Sequence, residues 1–190
     1  MAQPKAQALD PLAKKDDRVF GSGSATSVAA IHLRRELVEL NKHPIEGISV
    51  GLVDDSNIFR WAVCITGPPE TPYAEGLFQA VLEFSDEYPN YPPRMKFTSE
   101  MWHPNIYPDG RVCISILHAP GEDQWGYEQS SERWRPINSV ESILICVQSM
   151  LGEPNDQSPA NVDAAVMWRS NTSEFKKRVA RTVRKSQEEI

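Results

Sequence analysis

Alternating apolar and polar residues in the first half of the chain constrain its fold more than any other pattern. The runs 58–65 and 77–84 each place an apolar residue at every second position. Because successive side chains of a strand point to opposite faces, this period of two predicts β-strands. Shorter β-type runs at 48–53 and 95–98 add two more strands, and the short links between the runs favour an antiparallel meander.

Apolar residues at helical spacing lie on both sides of these strands in the sequence. Before them, apolar residues between 30 and 40 recur at intervals of three and four and predict an N-terminal helix. After them, helices are predicted at 143–151, behind a capping box at 138–141, at 159–168, and behind a cap at 171–174. The pattern predicts an α+β fold with an N-terminal helix, a four-stranded antiparallel sheet and C-terminal helices.

Residues 1–25 differ from the rest of the chain. They are polar, carry mixed charge, include a Gly-Ser-Gly-Ser sequence and show no helical or strand period. This composition predicts a disordered N-terminal tail, either a natural extension or in part a cloning remnant. Residues 26–190 are predicted to form one domain, since about 165 residues support a single hydrophobic core.

The overall composition argues against several classes of partner. The chain of 190 residues has a net charge of −6 and a pI near 5.3, so we expect no nucleic-acid partner. No apolar run reaches the roughly 18 residues of a membrane span, and the first residues lack a signal-peptide core, so no membrane insertion is expected. Three widely separated cysteines indicate no disulfide framework, no metal site and a reducing compartment.

A His-Pro-Asn triplet at 103–105 is followed, eight residues after the asparagine, by Cys113. Between them the Pro-Asp-Gly sequence at 108–110 predicts a turn: proline presets φ, aspartate bonds its own backbone, and glycine accepts a positive φ. The turn folds the chain back and can bring the amide of Asn105 towards the sulfur of Cys113. A thiol facing an amide donor, with no obvious activating base, suits acyl transfer through a thioester better than peptide hydrolysis.

This stretch resembles the active site of the ubiquitin-conjugating enzymes, and the resemblance runs from about Ser27 to Ile190. The other motifs that carry it are Tyr-Pro at 88–89, Pro-Pro at 92–93, Trp134, Pro136, and Glu-Pro-Asn at 153–155. Their agreement in order and spacing makes the resemblance specific. The insertion between Cys113 and Trp134 narrows it to the subgroup with an acidic loop after the cysteine, and within that subgroup the chain resembles the G-type enzymes.

The resemblance implies a transferase whose nucleophile is Cys113. In that family the cysteine accepts the C-terminal carboxyl of ubiquitin from the ubiquitin-activating enzyme as a thioester and passes it to a lysine, usually with a RING-type ubiquitin ligase. Polyubiquitin chains of the degradation type are implied, and no cofactor, because ATP is used by the activating enzyme. A cysteine is otherwise most often a buried structural residue, and that interpretation stands for Cys64 and Cys146.

The family pattern also suggests roles for three residues near the cysteine. Asn105 either donates a hydrogen bond to the charged carbonyl oxygen of the transition state or braces the turn before Cys113, and the two roles are compatible. His103 is implied to be structural, bonding backbone within its loop. Ser158 occupies the gate position where many relatives carry aspartate, which leaves the base for the attacking lysine in doubt.

The insertion after the cysteine carries carboxylates that can fill this gap. Glu122, Asp123 and Glu128 lie close to Cys113 in sequence, and a flexible loop can deliver one of them to an attacking lysine. Long loops in compact domains are usually functional or disordered. By resemblance, the loop orients the acceptor ubiquitin; the alternative is a solvated loop whose charges only keep it soluble.

The resemblance places the ligase-binding surface on three separate stretches of the chain. Its residues are His32 and Arg35 on the first helix, Asn90 in a loop, and Pro136 with Ile137. Many relatives have a large apolar residue in place of Asn90, so RING-type partners are expected to differ or to bind weakly. A cytoplasmic protein is expected, with recruitment to the endoplasmic reticulum surface by a ligase left open.

Three alternative functions are consistent with parts of the pattern. A non-catalytic ubiquitin-binding variant of the same fold would lack the cysteine, which argues against it. A cysteine hydrolase would use His103 or His118 as base, but Pro104 restrains His103 and no third, orienting group is evident. A conjugator of another ubiquitin-like modifier is the third alternative.

Overall fold

The computed structural model describes residues 17–121 and 128–188. The elements in these ranges, in chain order, are α1 (Val28–Lys42), β1 (Ile48–Leu52), β2 (Arg60–Thr66), β3 (Leu77–Glu83), β4 (Arg94–Phe97), a 3₁₀ helix (Ser115–Leu117), α2 (Val140–Gly152), α3 (Val162–Ser170) and α4 (Thr172–Glu188). The predicted α+β architecture, with one N-terminal helix before the strands and helices after them, is confirmed.

The strands form one antiparallel sheet in the order β1-β2-β3-β4. In the central pair, Trp61 lies opposite Leu82 and Val63 lies opposite Ala80, so the apolar residues of both strands share one face. These residues are buried and alternate with half-buried ones along each strand, as the period of two predicted. The predicted meander is therefore confirmed, and its register follows from burying one face.

Helix α2 connects the core to the segment that carries the cysteine. Its residues Ile143, Leu144 and Val147 are fully buried in the same apolar cluster as the sheet face. Burying a large apolar side chain contributes about 1.5–3 kcal/mol, so this face anchors the helix firmly. Its last turn carries the carbonyl of Met150, which lies 2.8 Å from Nε2 of His103.

The caps of the C-terminal helices show where local sequence patterns were informative. The capping box predicted at 138–141 is wrong by one residue: the Ser139 hydroxyl accepts from the Ser142 N–H, and the Ser142 side chain bonds the Ser139 N–H. Serine competes well for this position because its short hydroxyl reaches the free backbone amides of the first turn. The predicted cap of α4 is confirmed, since the Asn171 side chain accepts from the Glu174 N–H at 3.1 Å.

The disordered tail predicted for residues 1–25 does not extend over its last part. The Gly21 N–H donates to the Phe84 carbonyl at 2.9 Å, and the Asn57 side chain donates to the Gly21 carbonyl at 2.8 Å. These bonds hold the chain before α1 against the end of β3. Residues 1–16 lie outside the described residues.

Candidate active site

A tight hairpin connects Asn105 to Cys113. The Gly110 N–H donates to the Tyr107 carbonyl at 2.8 Å, and the Cys113 N–H donates to the Asn105 carbonyl at 2.9 Å. Gly110 has a φ of 92°, and a β-carbon there would lie 2.2 Å from the Phe97 carbonyl oxygen. Only glycine fits both conditions. The predicted turn thus brings the backbone of Asn105 to the cysteine.

Cys113 presents a half-buried thiol at the end of this hairpin, two residues before the 3₁₀ helix. Cys64 is half-buried in β2, where burial raises the pKa of its thiol. Cys146 is exposed on α2, so the expectation that it is buried is wrong: it lies on the side of the helix that faces away from the core. The thiol beside the His-Pro-Asn loop is therefore that of Cys113.

The side chain of Asn105 is buried and bonds the backbone of Asn155 at two points. Its Nδ2 donates to the Asn155 carbonyl at 2.6 Å, and its Oδ1 accepts from the Asn155 N–H at 2.9 Å. The side chain thus braces the loop after α2 rather than the turn before Cys113. An amide nitrogen carries two hydrogens, so Nδ2 can still donate to a further acceptor.

His103 is fully buried, and both of its ring nitrogens have backbone partners. Nδ1 accepts from the Asn105 N–H at 2.9 Å, which leaves Nε2 to donate to the Met150 carbonyl at 2.8 Å. Burial lowers the pKa of His103 to about 4, against the smaller opposing effect of the bond to Met150. The imidazole is neutral and engaged on both sides, so it ties the loop to α2 and has no free nitrogen for a proton.

Ser158 is exposed in the segment between α2 and α3. This segment is fastened to the His-Pro-Asn loop on both sides of Ser158. Before it lies Asn155, held by Asn105; after it, the Asn161 N–H donates to the Pro104 carbonyl at 2.9 Å. The predicted gate residue therefore lies in a short bridge whose two ends are bonded to the active-site loop.

The structure brings His118 to the thiol, with a carboxylate behind it. The Nε2 atom of His118 lies 3.6 Å from the Cys113 sulfur. Its Nδ1 atom lies 2.7 and 2.8 Å from the two carboxylate oxygens of Glu128. The expectation that no orienting group stands behind His118 is therefore wrong. The sequence identifies Glu128 only as one of several loop carboxylates, and its ten-residue separation from His118 follows no helical or strand period that would predict the pairing.

Contacts with Ser115 and Arg133 also hold Glu128 in place. The Ser115 hydroxyl donates to it at 3.0 Å, and the Arg133 Nε lies 3.7 Å from it. The side chains of His118 and Glu128 are only 13% and 21% exposed. The ion pair is thus partly shielded from water and less subject to screening than a surface pair.

The charges of this cluster reinforce one another. Burial alone would lower the pKa of His118, but its hydrogen bonds with Cys113 and Glu128 and their charges raise that pKa to about 9. Burial would raise the pKa of Glu128, but several interactions lower it, and the largest of these are the hydrogen bond and the charge of His118. The arrangement therefore favours a cationic imidazole between a sulfur and a carboxylate.

The predicted acidic-loop residues Glu122 and Asp123 lie outside the described residues. Within residues 17–121 and 128–188, histidines, cysteines and carboxylates form no group of three that could hold a metal ion. In the same ranges no helix combines the length and apolar character needed to cross a bilayer.

The three stretches predicted to bind a ligase lie together on one surface. The Tyr88 ring packs beside His32 of α1 and beside Trp134, with ring centroids 6.0 and 5.8 Å apart. The Trp134 indole N–H donates to the Pro89 carbonyl at 2.7 Å. The exposed residues of this surface are Arg35, Asn90, Pro136 and Ile137, whereas His32 is half-buried.

Comparison with known proteins identifies the family to which this chain belongs. Residues 32–183 match the family described as ubiquitin-conjugating enzyme. The chain belongs to the ubiquitin-conjugating enzymes, transferases that form a thioester with ubiquitin. Membership of this family implies ubiquitin, an activating enzyme and a ligase as partners in general terms.

Individual relatives place the chain among the G-type members. It is 59% identical over 162 residues to Ubiquitin-conjugating enzyme E2 13 of Arabidopsis thaliana, covering 85% of this chain and 98% of that protein. It is 54% identical over 154 residues to Ubiquitin-conjugating enzyme E2 G2 of Homo sapiens, covering 81% and 93%. The solved structure of human Ubiquitin-conjugating enzyme E2 G1 matches with a TM-score of 0.60 at 51% identity, covering 67% and 97%. The subgroup predicted from the insertion is therefore confirmed.

Proposed function

We propose that Cys113 carries ubiquitin as a thioester with the C-terminal carboxyl of ubiquitin. The observation that supports this most is the half-buried thiol at the end of a hairpin that begins at Asn105. Cys64 belongs to β2 and Cys146 to α2, so neither is part of this hairpin. The family pattern of His-Pro-Asn and cysteine also falls on Cys113.

Transfer would take place in two steps at the same carbonyl carbon. The Cys113 sulfur attacks the ubiquitin thioester on the activating enzyme, whose own cysteine leaves as a thiolate. A lysine amine then attacks the new thioester, negative charge develops on the carbonyl oxygen, and the Cys113 sulfur leaves. The second Nδ2 hydrogen of Asn105 is the donor we propose for that oxygen. Removing one such donor typically costs about 10²–10³ in rate.

The proposal extends to chain building with a RING-type ligase in the cytoplasm. The adjoining stretches at His32, Asn90 and Ile137 support a single ligase surface, because a side chain as exposed as Ile137, at 85%, is available to a partner. We also propose degradation-type polyubiquitin chains, with Glu122 and Asp123 orienting the acceptor. Recruitment by a ligase to the endoplasmic reticulum surface belongs to the same proposal. No cofactor would be bound, since ATP is consumed by the activating enzyme.

Substitution of Cys113 tests the central claim. With activating enzyme, ubiquitin and ATP, the wild type should form an adduct that a reducing thiol removes. Cys113→Ser should form an adduct that resists the thiol, because an oxyester is not cleaved by it. Cys64→Ser and Cys146→Ser are matched controls and should keep the sensitive adduct. A thiol-sensitive adduct on Cys113→Ser would assign the acyl group to another cysteine.

The thiol, imidazole and carboxylate of Cys113, His118 and Glu128 favour one second candidate, a cysteine hydrolase. Such an enzyme would release ubiquitin repeatedly from a fluorogenic ubiquitin ester without any amine acceptor. Turnover that disappears in both Cys113→Ser and His118→Gln would support hydrolysis. A conjugating enzyme should give a single charging event and then require an amine.

A further inference from the structure

The contacts of His118 determine which of its nitrogens can exchange a proton. A carboxylate is only an acceptor, so the Nδ1 atom that faces Glu128 at 2.7–2.8 Å must carry a hydrogen. This leaves Nε2, 3.6 Å from the Cys113 sulfur, as the nitrogen that gains or loses a proton at the reacting atom. The ring is therefore oriented as a general base would be, with the nitrogen that exchanges a proton facing the Cys113 sulfur.

Transfer of ubiquitin from Cys113 to a lysine needs a proton acceptor beside the Cys113 sulfur. A lysine side chain is an ammonium at neutral pH and cannot attack a carbonyl until it loses a proton. His103 is unsuitable, because its nitrogens are bonded to Asn105 and Met150. Ser158 carries no basic group. In the part of the chain that the structure describes, His118 is the basic side chain in contact with the sulfur.

We propose that His118 is a catalytic residue, the proton acceptor for the attacking lysine, and that Glu128 is a positioning residue that holds its ring. This inference rests on the proposed function, because it concerns the thioester on Cys113. A base must lie within hydrogen-bond reach of the proton that it removes. An amine that approaches the carbon bonded to the Cys113 sulfur comes next to Nε2, which already contacts that sulfur.

The step balances without any further reactant. The lysine ammonium gives one proton to Nε2 of His118, and the neutral amine attacks the thioester carbon. The C–N bond forms, the nitrogen gives its second proton to water, and the C–S bond breaks with its electron pair on the Cys113 sulfur. After the sulfur has left, the proton stays on Nε2, 3.6 Å from it, and the site returns to the cationic imidazole that Cys113 and Glu128 favour in the free enzyme.

Acylation of Cys113 itself prepares the imidazole for this role. In the free enzyme burial opposes a charged ring, but Cys113 and Glu128 together raise the pKa of His118 to about 9. A thioester sulfur has no negative charge, so acylation removes the contribution of Cys113 and the pKa falls. The described charged groups that remain at the ring are Glu128 and, behind it, Arg133. Acylation therefore favours the neutral imidazole of His118 at the stage when a lysine can attack the thioester.

Single-turnover discharge tests the proposal. The full-length enzyme is charged with ubiquitin, ATP is removed, and loss of the thioester is followed with lysine or with hydroxylamine over about pH 6 to 9. Hydroxylamine is uncharged at neutral pH and needs no base to become a nucleophile. His118→Gln should therefore slow discharge to lysine by about 10²-fold and leave discharge to hydroxylamine within about twofold. His43→Gln, an exposed histidine at the end of α1, is the matched control and should behave as wild type.

Glu128→Gln gives an independent measurement of the positioning role. Loss of its charge lowers the pKa of His118, so the pH midpoint of discharge to lysine should move to lower pH. Above the midpoint the rate should fall, because the ring is a weaker base and is held less firmly. A residue that only braced the loop would lower the rate without moving this midpoint. Glu132→Gln, an exposed neighbour, is the control. If His118→Gln does not fold or cannot be charged with ubiquitin, the pH midpoint of discharge to lysine by Glu128→Gln tests the inference instead.

Two results would overturn the inference. Equal slowing towards lysine and hydroxylamine in His118→Gln would make His118 a structural residue. Unchanged discharge to lysine in His118→Gln, or an unchanged midpoint in Glu128→Gln, would show that the proton goes elsewhere. Failure of the wild type to form any thioester would instead contradict the proposed function, so the two failures are distinguishable.

Discussion

At the scale of single residues, Asn105 has two tasks that one substitution separates. Asn105→Ala removes both bonds to Asn155 and the proposed donor to the charged oxygen. Charging should stay close to wild type, because the brace contributes only about 1 kcal/mol per hydrogen bond. Discharge to free lysine should fall by about 10²–10³. Single-turnover charging and discharge measure the two steps separately, and equal slowing of both would point to collapse of the loop.

The same scale shows what the sequence could and could not predict about the site. Cys113 and Asn105 were predictable because a turn with known chemistry lies between them, and turn geometry is local. The pairing of His118 with Glu128 was not, since it joins two points of an irregular insertion that no helical or strand period relates. The exposure of Cys146 was missed because it lies one position beside the apolar stripe of α2.

At the scale of the element, the hairpin before Cys113 depends on one glycine. Gly110→Ala would place a β-carbon 2.2 Å from the Phe97 carbonyl oxygen in a residue with φ of 92°. The left-handed backbone alone costs about 1–2 kcal/mol, so we expect the free energy of unfolding to fall by at least that amount. Charging should slow as well, because the hairpin sets the position of the Cys113 N–H on Asn105.

Urea unfolding and the charging rate measure this effect, and β1 offers a matched control. A β-carbon at Gly51 has nothing within 4 Å, so Gly51→Ala should leave the free energy of unfolding within about 0.5 kcal/mol. A stability of Gly110→Ala equal to that of Gly51→Ala would contradict the account of the turn.

The secondary-structure elements themselves were largely predictable, and their ends were not. Burial of one face requires alternation in β2 and β3, and their period of two was visible in the sequence. The start of α2 was predicted one residue early, because Ser139 and Ser142 cap it with hydroxyls instead of an asparagine and a glutamate. Several polar residues compete for a cap within one turn, and only the tertiary position of the helix decides among them.

At the scale of the whole molecule, a half-buried carboxylate connects parts that are far apart in the chain. Glu36 of α1 accepts hydrogen bonds from the Tyr88 hydroxyl and, at 2.7 Å, from the Val140 N–H at the start of α2. No sequence pattern distinguishes this glutamate from the other carboxylate of α1. Tyr88 in turn packs on Trp134. The proposed ligase surface thus rests on the domain core, and Glu36 connects it to the start of α2.

Two histidines with opposite pKa shifts should make the stability of the whole domain depend on pH. Burial lowers the pKa of His103 from 6.5 to about 4, so the unfolded chain binds the proton more readily between these values. Stability should therefore fall as pH falls from about 6.5 to 4, by on the order of 3 kcal/mol over the whole range. The pKa of His118 is raised to about 9, so this residue makes the stability of the domain depend on pH in the opposite sense. Its contribution is fully present below 6.5 and is lost as pH rises to 9.

Urea unfolding of wild type and His118→Gln at about pH 5, 7 and 9 separates the two histidines. Wild type should be most stable near neutral pH and should lose stability on both sides. In His118→Gln the loss above pH 7 should largely disappear, and the loss at pH 5 should become larger, because the opposing contribution of His118 is gone. At pH 5 most carboxylates are still ionised, so the acid loss there reports mainly on His103. Constant stability between pH 5 and 7 in this variant would mean that the His103 ring accepts a proton without breaking its bond from the Asn105 N–H, against the geometry that ties the loop to α2.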